Sequence, residues 1–308
     1  MRGRGDGATL ARDYLEALKS QRRLSPATLR NYAHALQLLL SLLQEHPLNS
    51  FDGAQARRFI GTLHSRGLSP RTLALTLSAW RGWYRWLVRQ HGYPANPAQG
   101  VRPPKSPRRL PKALSVEQVG QLLDARPARG PRARPRSAEE ARDRAMFELL
   151  YSSGLRLAEL VALDADDGRL DLGQAEVTVT GKGRKTRTVP IGARAREALR
   201  EWISERARLA RPGERALFVG ARGARIAPGT VQTRLRAWAR RQGLGAAVNP
   251  HMLRHSFASH VLQSSQDLRA VQEMLGHASI STTQVYTHLD FQALAKVYDA
   301  AHPRARKK

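Results

Sequence analysis

The sequence predicts a mainly α-helical chain with one small β-sheet, an α+β fold in two domains. Three observations carry that expectation. Apolar residues recur at helical spacing through much of the 308-residue chain. One stretch, 174–191, instead alternates polar and β-branched residues on either side of a glycine-flanked turn, as a hairpin does. Between 96 and 112, five prolines break the helical pattern and stiffen the chain. The expected organisation is a helical domain over 1–95, a basic linker over 96–112 and a second domain over 113–308.

The first domain reads as four helices. Over 9–20, Leu10, Tyr14 and Leu18 share one face. Ser25-Pro26 then opens a helix running to about residue 44, a capping residue followed by proline at the first helical position. Its apolar stripe includes Leu29, Tyr32, Leu36, Leu39 and Leu43. A short helix is expected over 53–65, and Ser69-Pro70 repeats the same opening for a helix to His91. On that helix Trp80, Trp83, Tyr84 and Leu87 fall at i, i+3, i+4 and i+7, the spacing of a core face rather than of rings stacking on bases. Arg71, Arg81, Arg85 and Arg89 lie at other angles, where they meet either phosphates or water.

In the second domain Ser115 caps a helix with Gln118 at the capping-box position. Residues 125–138 are an Arg/Pro/Ala/Gly segment that reads as a mobile loop. Helices are expected over 141–151 and 155–163, with Ser152-Ser153-Gly154 as the turn between them. The hairpin strands are 174–180 and 186–191, which puts Lys182 at the tip. Further helices follow at about 193–210, 228–242, 250–264 and 267–275, the last stopping at Gly276.

Charge narrows the function. Lys and Arg number 52 against 25 Asp and Glu, a formal net charge of +27. Such an excess repels itself unless a polyanion neutralises it, and nucleic acid is the usual one; a genome of high GC content that favours Arg and Ala codons is the plainer source. The absence of cysteine excludes disulfides, a thiol nucleophile and Cys-ligated zinc. No apolar run has the length of a membrane span, and the N-terminus lacks the apolar core of a signal peptide. The expectation is a cytoplasmic protein with no membrane partner.

The chemistry-bearing residues cluster between 251 and 288. His251, Arg254 and His277 are three donors suited to phosphate oxygens, and Tyr286 follows as a nucleophile for covalent phosphoryl transfer. A phenol with a pKa of about 10 needs neighbouring cations and a base to attack at neutral pH. Arg156, at a helix start, and Lys182, a flexible general acid, are the earlier candidates. His251 and His255 are four apart, as in a metal pair. Yet no Glu lies between them, no Cys exists and no third ligand is placed by spacing, so neither a metal nor a cofactor is expected.

Arg156 in Gly-Leu-Arg-Leu-Ala-Glu-Leu, Lys182 in Gly-Lys-Gly-Arg-Lys, His251-x-x-Arg254, Leu-Gly-His277 and Val-Tyr286-Thr-His stand in the order of the tyrosine recombinase (phage integrase) family, which the chain resembles along nearly its whole length. The ending from Thr287 to Ala305 is similar to the XerC subfamily. The resemblance implies a SAM-like core-binding domain and a catalytic domain closing as a clamp around DNA. Tyr286 would attack the scissile phosphate to form a 3′-phosphotyrosyl link. Arg156 and Arg254 would hold the non-bridging oxygens, Lys182 would protonate the leaving 5′-oxygen, His251 would act as acid/base on the tyrosine side, and His277 would hydrogen-bond the phosphate. Strand exchange would need neither ATP nor metal, because the covalent link conserves the bond energy. The implied partners are a double-stranded recombination site, a XerD-like recombinase in a heterotetramer, and a DNA translocase as activator. The implied role is resolution of chromosome and plasmid dimers at cell division. The apolar tail after Leu289 (Phe291, Leu294, Val297, Tyr298) would dock on a neighbouring subunit or on its own domain. Three alternatives remain open: a mobile-element integrase, a relaxing topoisomerase, and a non-catalytic architectural DNA-binding protein.

Overall fold

The computed structural model describes residues 6–22, 24–44, 46–105, 113–124, 137–181, 185–245 and 248–265. The chain divides into two compact units, residues 1–109 and 110–308. The described residues are mainly helical with one three-stranded sheet.

The described residues of unit 1 form helices and no strand: α1 (Gly7–Arg22), α2 (Pro26–Leu43), α3 (Gly53–Ser65) and α4 (Pro70–His91), with a 3-10 turn at Leu48–Ser50. The start signals work as read. Ser25 and Ser69 each accept the N–H of the residue three positions on, ahead of a proline at the first helical position. Asp52 and Gln55 form a reciprocal capping box at α3. Trp80, Trp83, Tyr84 and Leu87 are all at most 1% exposed, so this face of α4 is core. The buried polar atoms of two of these rings are satisfied locally: Trp80 Nε1 donates to the Ala35 carbonyl at 2.7 Å, and Tyr84 Oη to that of Leu48 at 2.9 Å.

Arg81 departs from the expectation that it meets either phosphates or water. Its guanidinium donates to the carbonyls of Ala98 and Val101, both buried in the core of unit 1. It thus ties the start of the proline-rich stretch onto α4.

Gly82 permits the α1–α4 approach, because a Cβ there would lie 2.4 Å from the buried Tyr14 Oη. Gly82→Ala should therefore destabilise the protein by about 1–2 kcal/mol, overpacking outweighing alanine's better helix propensity. The check is thermal unfolding of the full chain; an unchanged or higher midpoint would show that the contact yields without cost.

Unit 2 comprises α5 (Val116–Leu123), α6 (Ala138–Ser152), α7 (Leu157–Val161), strands β1 (Leu170–Asp171), β2 (Glu176–Thr180) and β3 (Thr186–Pro190), then α8 (Ala193–Arg206), α9 (Pro228–Arg241) and α10 (Pro250–Ser265). The hairpin is β2–β3, with Val177 opposite Val189 and Val179 opposite Arg187. β1 extends the sheet on the other edge of β2; the hairpin reading did not include it. α6 is buried along most of its length and packs against α8, α9 and α10. Beneath it Arg142 donates to Asp143 and to the Val219 carbonyl, while Arg234 of α9 pairs with Asp143 and Glu139. The buried Arg142 and the partly exposed Arg234 thus both meet the buried Asp143, whose charge needs such partners.

Most of the Arg/Pro-rich segment (125–136), Lys182 in the hairpin turn and the expected helix at 267–275 lie outside the described residues, as do His277, Tyr286 and the apolar tail. Among the described residues no helix is long and apolar enough to cross a membrane.

Candidate active site

Two elements of unit 2 bring arginines to one carboxylate, and a third places another arginine close by. The first comes from the turn after α6. Gly154 takes φ 57°, a left-handed conformation that glycine adopts without Cβ strain, and turns the chain into α7. Hydrogen bonds lock the turn to the sheet. Ser153 Oγ donates to the Pro190 carbonyl at 2.7 Å, and Ser152 Oγ accepts the Gly192 N–H at 3.1 Å. Arg156 then stands as the N-cap of α7, and Glu159 occupies the position three residues on.

Glu159 is the hub. One of its oxygens accepts the Arg156 backbone N–H at 2.7 Å, and the other accepts the Arg156 guanidinium at 2.9 Å. From β3, Arg187 adds a two-pronged pair at 2.7 and 2.8 Å. Burial alone would push this carboxyl up. The hydrogen bonds from Arg187 and the Arg156 N–H outweigh burial and hold its pKa at about 2. With a folded pKa below the unfolded value, the stabilisation is complete above about pH 4.5 and is lost as pH falls towards 2.

The third arginine is Arg254. It sits on α10, whose inner face carries the buried Leu253 and Phe257. Ser256 Oγ accepts the Leu114 N–H at 2.8 Å, and His260 pairs with Tyr151 Oη at 2.9 Å, which fixes the helix in rotation. The residue is 8% exposed, and its guanidinium donates to the Gly154 carbonyl. Burial first, then the like charges of Arg156 and Arg187, lower its pKa to about 10, so it stays charged at neutral pH. His251 lies three residues earlier on α10 and is exposed.

Three guanidiniums against one carboxylate leave a net charge of +2. Such a cluster calls for an anion with several oxygens, and a phosphodiester suits it. α7 spans only five residues, so side-chain charge rather than a helix dipole carries the attraction. Among the described residues no group of three His, Cys, Asp or Glu side chains could hold a metal.

Of the six residues singled out from sequence, Arg156, His251 and Arg254 are described, with Arg156 and Arg254 brought to the same turn. Lys182, His277 and Tyr286 lie outside the described residues. From the sequence alone, Glu159 stands in the Arg156 motif without a role and Arg187 is not singled out. The signal for Glu159 was its spacing from Arg156, that of a capping box. For Arg187 it was parity, since an arginine two residues before an inward-facing valine needs a buried partner.

Residues 112–293 match the phage integrase family, and residues 11–91 match the phage integrase N-terminal SAM-like domain. Tyrosine recombinase XerC 1 of Ralstonia nicotianae is 52% identical over 322 aligned positions, covering 96% of this chain and 93% of that protein. Tyrosine recombinase XerC of Azotobacter vinelandii is also 52% identical, covering 96% of each chain. Two solved structures share the fold. A lambda integrase dimer bound to a COC′ core site has a TM-score of 0.68 at 17% identity, covering 90% of this chain and 98% of that one. XerH recombinase bound to palindromic difH substrate, a post-cleavage complex, has a TM-score of 0.66 at 22% identity, covering 96% and 82%.

Proposed function

The chain belongs to the phage integrase family of tyrosine recombinases, and we propose that Arg156, Lys182, His251, Arg254, His277 and Tyr286 form its active site. It is a DNA strand-exchange enzyme. The observation that supports the site assignment is the convergence of Arg156 and Arg254 on the Gly154 turn, around a carboxylate that leaves positive charge in excess.

In this reading the two guanidiniums hold the non-bridging oxygens of the scissile phosphate and offset the charge that builds there as the phosphorus becomes five-coordinate. Tyr286 attacks the phosphorus and gives up its phenolic proton, with His251 as acid/base on that side. The P–O5′ bond breaks, and the leaving 5′-oxygen takes a proton from Lys182. His277 hydrogen-bonds the phosphate. The product is a 3′-phosphotyrosyl link and a free 5′-hydroxyl. Attack on that link by a 5′-hydroxyl from another strand reverses each step and exchanges strands, without ATP or metal.

The biological setting proposed is resolution of chromosome and plasmid dimers at cell division, in the cytoplasm. The two units would close around the DNA as a clamp. Two copies of this chain would act with two copies of a XerD-like recombinase, a DNA translocase would activate the assembly, and the tail after Leu289 would dock on the neighbouring subunit. The support is about 50% identity to XerC proteins over nearly the whole chain.

The test uses a plasmid with two direct copies of the source genome's dimer-resolution site. Resolution into two smaller circles should require both this protein and the XerD-like partner. Recombination of a phage attachment site by this chain alone would point instead to a mobile-element integrase.

A further inference from the structure

We propose that Arg187 is a positioning residue for strand cleavage: by gripping Glu159 from β3, it holds Arg156 in place and couples that arginine to the hairpin leading to Lys182. This rests on the active-site reading above and adds to it a residue that contacts no substrate.

The geometry begins with register. β2 turns Val177 and Val179 into the core, and Arg187 lies directly across from Val179, two residues before the buried Val189. Arg187 therefore projects from the inward face of the sheet, and its side chain is 14% exposed. Placing a guanidinium there is costly unless a carboxylate meets it. Glu159 does so with both oxygens, its own side chain being 3% exposed.

That carboxylate has a second task. The oxygen that takes the Arg156 guanidinium at 2.9 Å also takes one prong of Arg187 at 2.7 Å. The two arginines are thus fixed relative to each other through one atom. The hairpin shares the anchor: Gly181 N–H donates to the Lys185 carbonyl at 2.8 Å, closing the turn, and Arg187 lies two residues further along. One ion cluster thereby sets where Arg156 sits and where the strands flanking Lys182 emerge.

Among the described residues, the charged groups around Glu159 are Arg156 at the start of its own helix and Arg187 from β3, which bind it, and Arg254 from α10, which acts on it at longer range. Removing Arg187 takes away the strongest force that keeps Glu159 ionised, while its burial remains. Its pKa then rises, so protonation sets in at a higher pH than in the parent. A protonated Glu159 loses its charge-assisted grip on Arg156. A purely structural role in the sheet would not create this acid sensitivity.

The experiment measures the rate of covalent adduct formation on a labelled duplex carrying the protein's site, found by trapping adducts on sheared genomic DNA. A nick lies a few bases beyond the scissile phosphate, so that the short 5′-hydroxyl fragment leaves. R187Q should cleave about 100-fold more slowly than the parent at neutral pH, the scale of a misplaced catalytic group. The R187Q-to-parent ratio should fall further from pH 7 to 5.5 and level off above, with DNA affinity close to the parent's. In E159Q, which has no carboxylate to titrate, adding R187Q should give a ratio that is flat with pH. R187K keeps the charge but loses the fork, and should cleave about tenfold more slowly than the parent. An R187Q rate equal to the parent's, or a slowed rate whose ratio ignores pH, overturns the proposal. If R187Q does not fold, R187K decides: parent-level cleavage at every pH overturns it. Failure of the parent itself to form an adduct would instead sink the active-site reading, so the two failures are distinct.

Discussion

Arg254→Ala slows covalent cleavage by about a thousandfold while leaving DNA affinity within a fewfold, the loss expected for a pre-positioned donor to a developing oxyanion. Three features set the size. Arg254 is nearly buried, so its charge acts through a poorly screened medium. The Gly154 carbonyl fixes its orientation before any substrate arrives. And its like-charged neighbours Arg156 and Arg187 make the site gain from a phosphate's charge. The truncation also strips a buried carbonyl of a donor, so a stability loss of about 1–3 kcal/mol should accompany the kinetic one. Arg156, with a third of its side chain exposed, is expected to contribute less, about a hundredfold on truncation. The check is single-turnover cleavage of a nicked duplex alongside a binding titration. Cleavage by Arg254→Ala at the parent's rate would remove this residue from the site; a parallel collapse of binding would make it a DNA anchor instead.

Tyr286→Phe should abolish the covalent adduct altogether. The substitution keeps the ring and removes one oxygen, so packing and DNA binding should persist. No other group can replace that oxygen without changing the product. A phenol of pKa about 10 depends on nearby cations to attack at neutral pH, and in the proposed site the arginines at the phosphate would be among them. The measurement is SDS-resistant protein–DNA complex on the same nicked duplex, with binding followed separately. Adduct formed by the variant as readily as by the parent would mean that another residue is the nucleophile.

Much of the fold was legible because local rules and tertiary packing agree. Ser25-Pro26 and Ser69-Pro70 mark helix starts by chemistry that acts within one turn. The Trp80–Leu87 stripe states which face of α4 is inside. β1 was not legible, since two residues cannot show alternation and Leu170–Asp171 becomes a strand only by pairing with β2. Arg81 was misassigned for a related reason. Its place on the helix wheel suits a solvent-facing arginine, and only the return of the chain at Ala98 and Val101 gives it inward partners.

The site divides the same way. Arg156 and Arg254 were legible as motif members, because their sequence neighbours, the Gly154 turn and the start of α10, also present them. Glu159 and Arg187 were not recognised as a pair. They are 28 residues apart and meet only because the hairpin register turns Arg187 inward over α7. A side chain presented by its own turn leaves a local signature, whereas a pair that meets across the fold is written in long-range contacts.

The central claim is that this chain cleaves DNA by placing a 3′-phosphate on Tyr286. The most direct measurement is mass spectrometry of the peptide that carries the nucleotide after trapped adduct is digested with protease and nuclease. One modified peptide is expected, spanning Tyr286, with the nucleotide joined through its 3′-phosphate. A 5′-linked nucleotide, or a modification on any other residue, would contradict it.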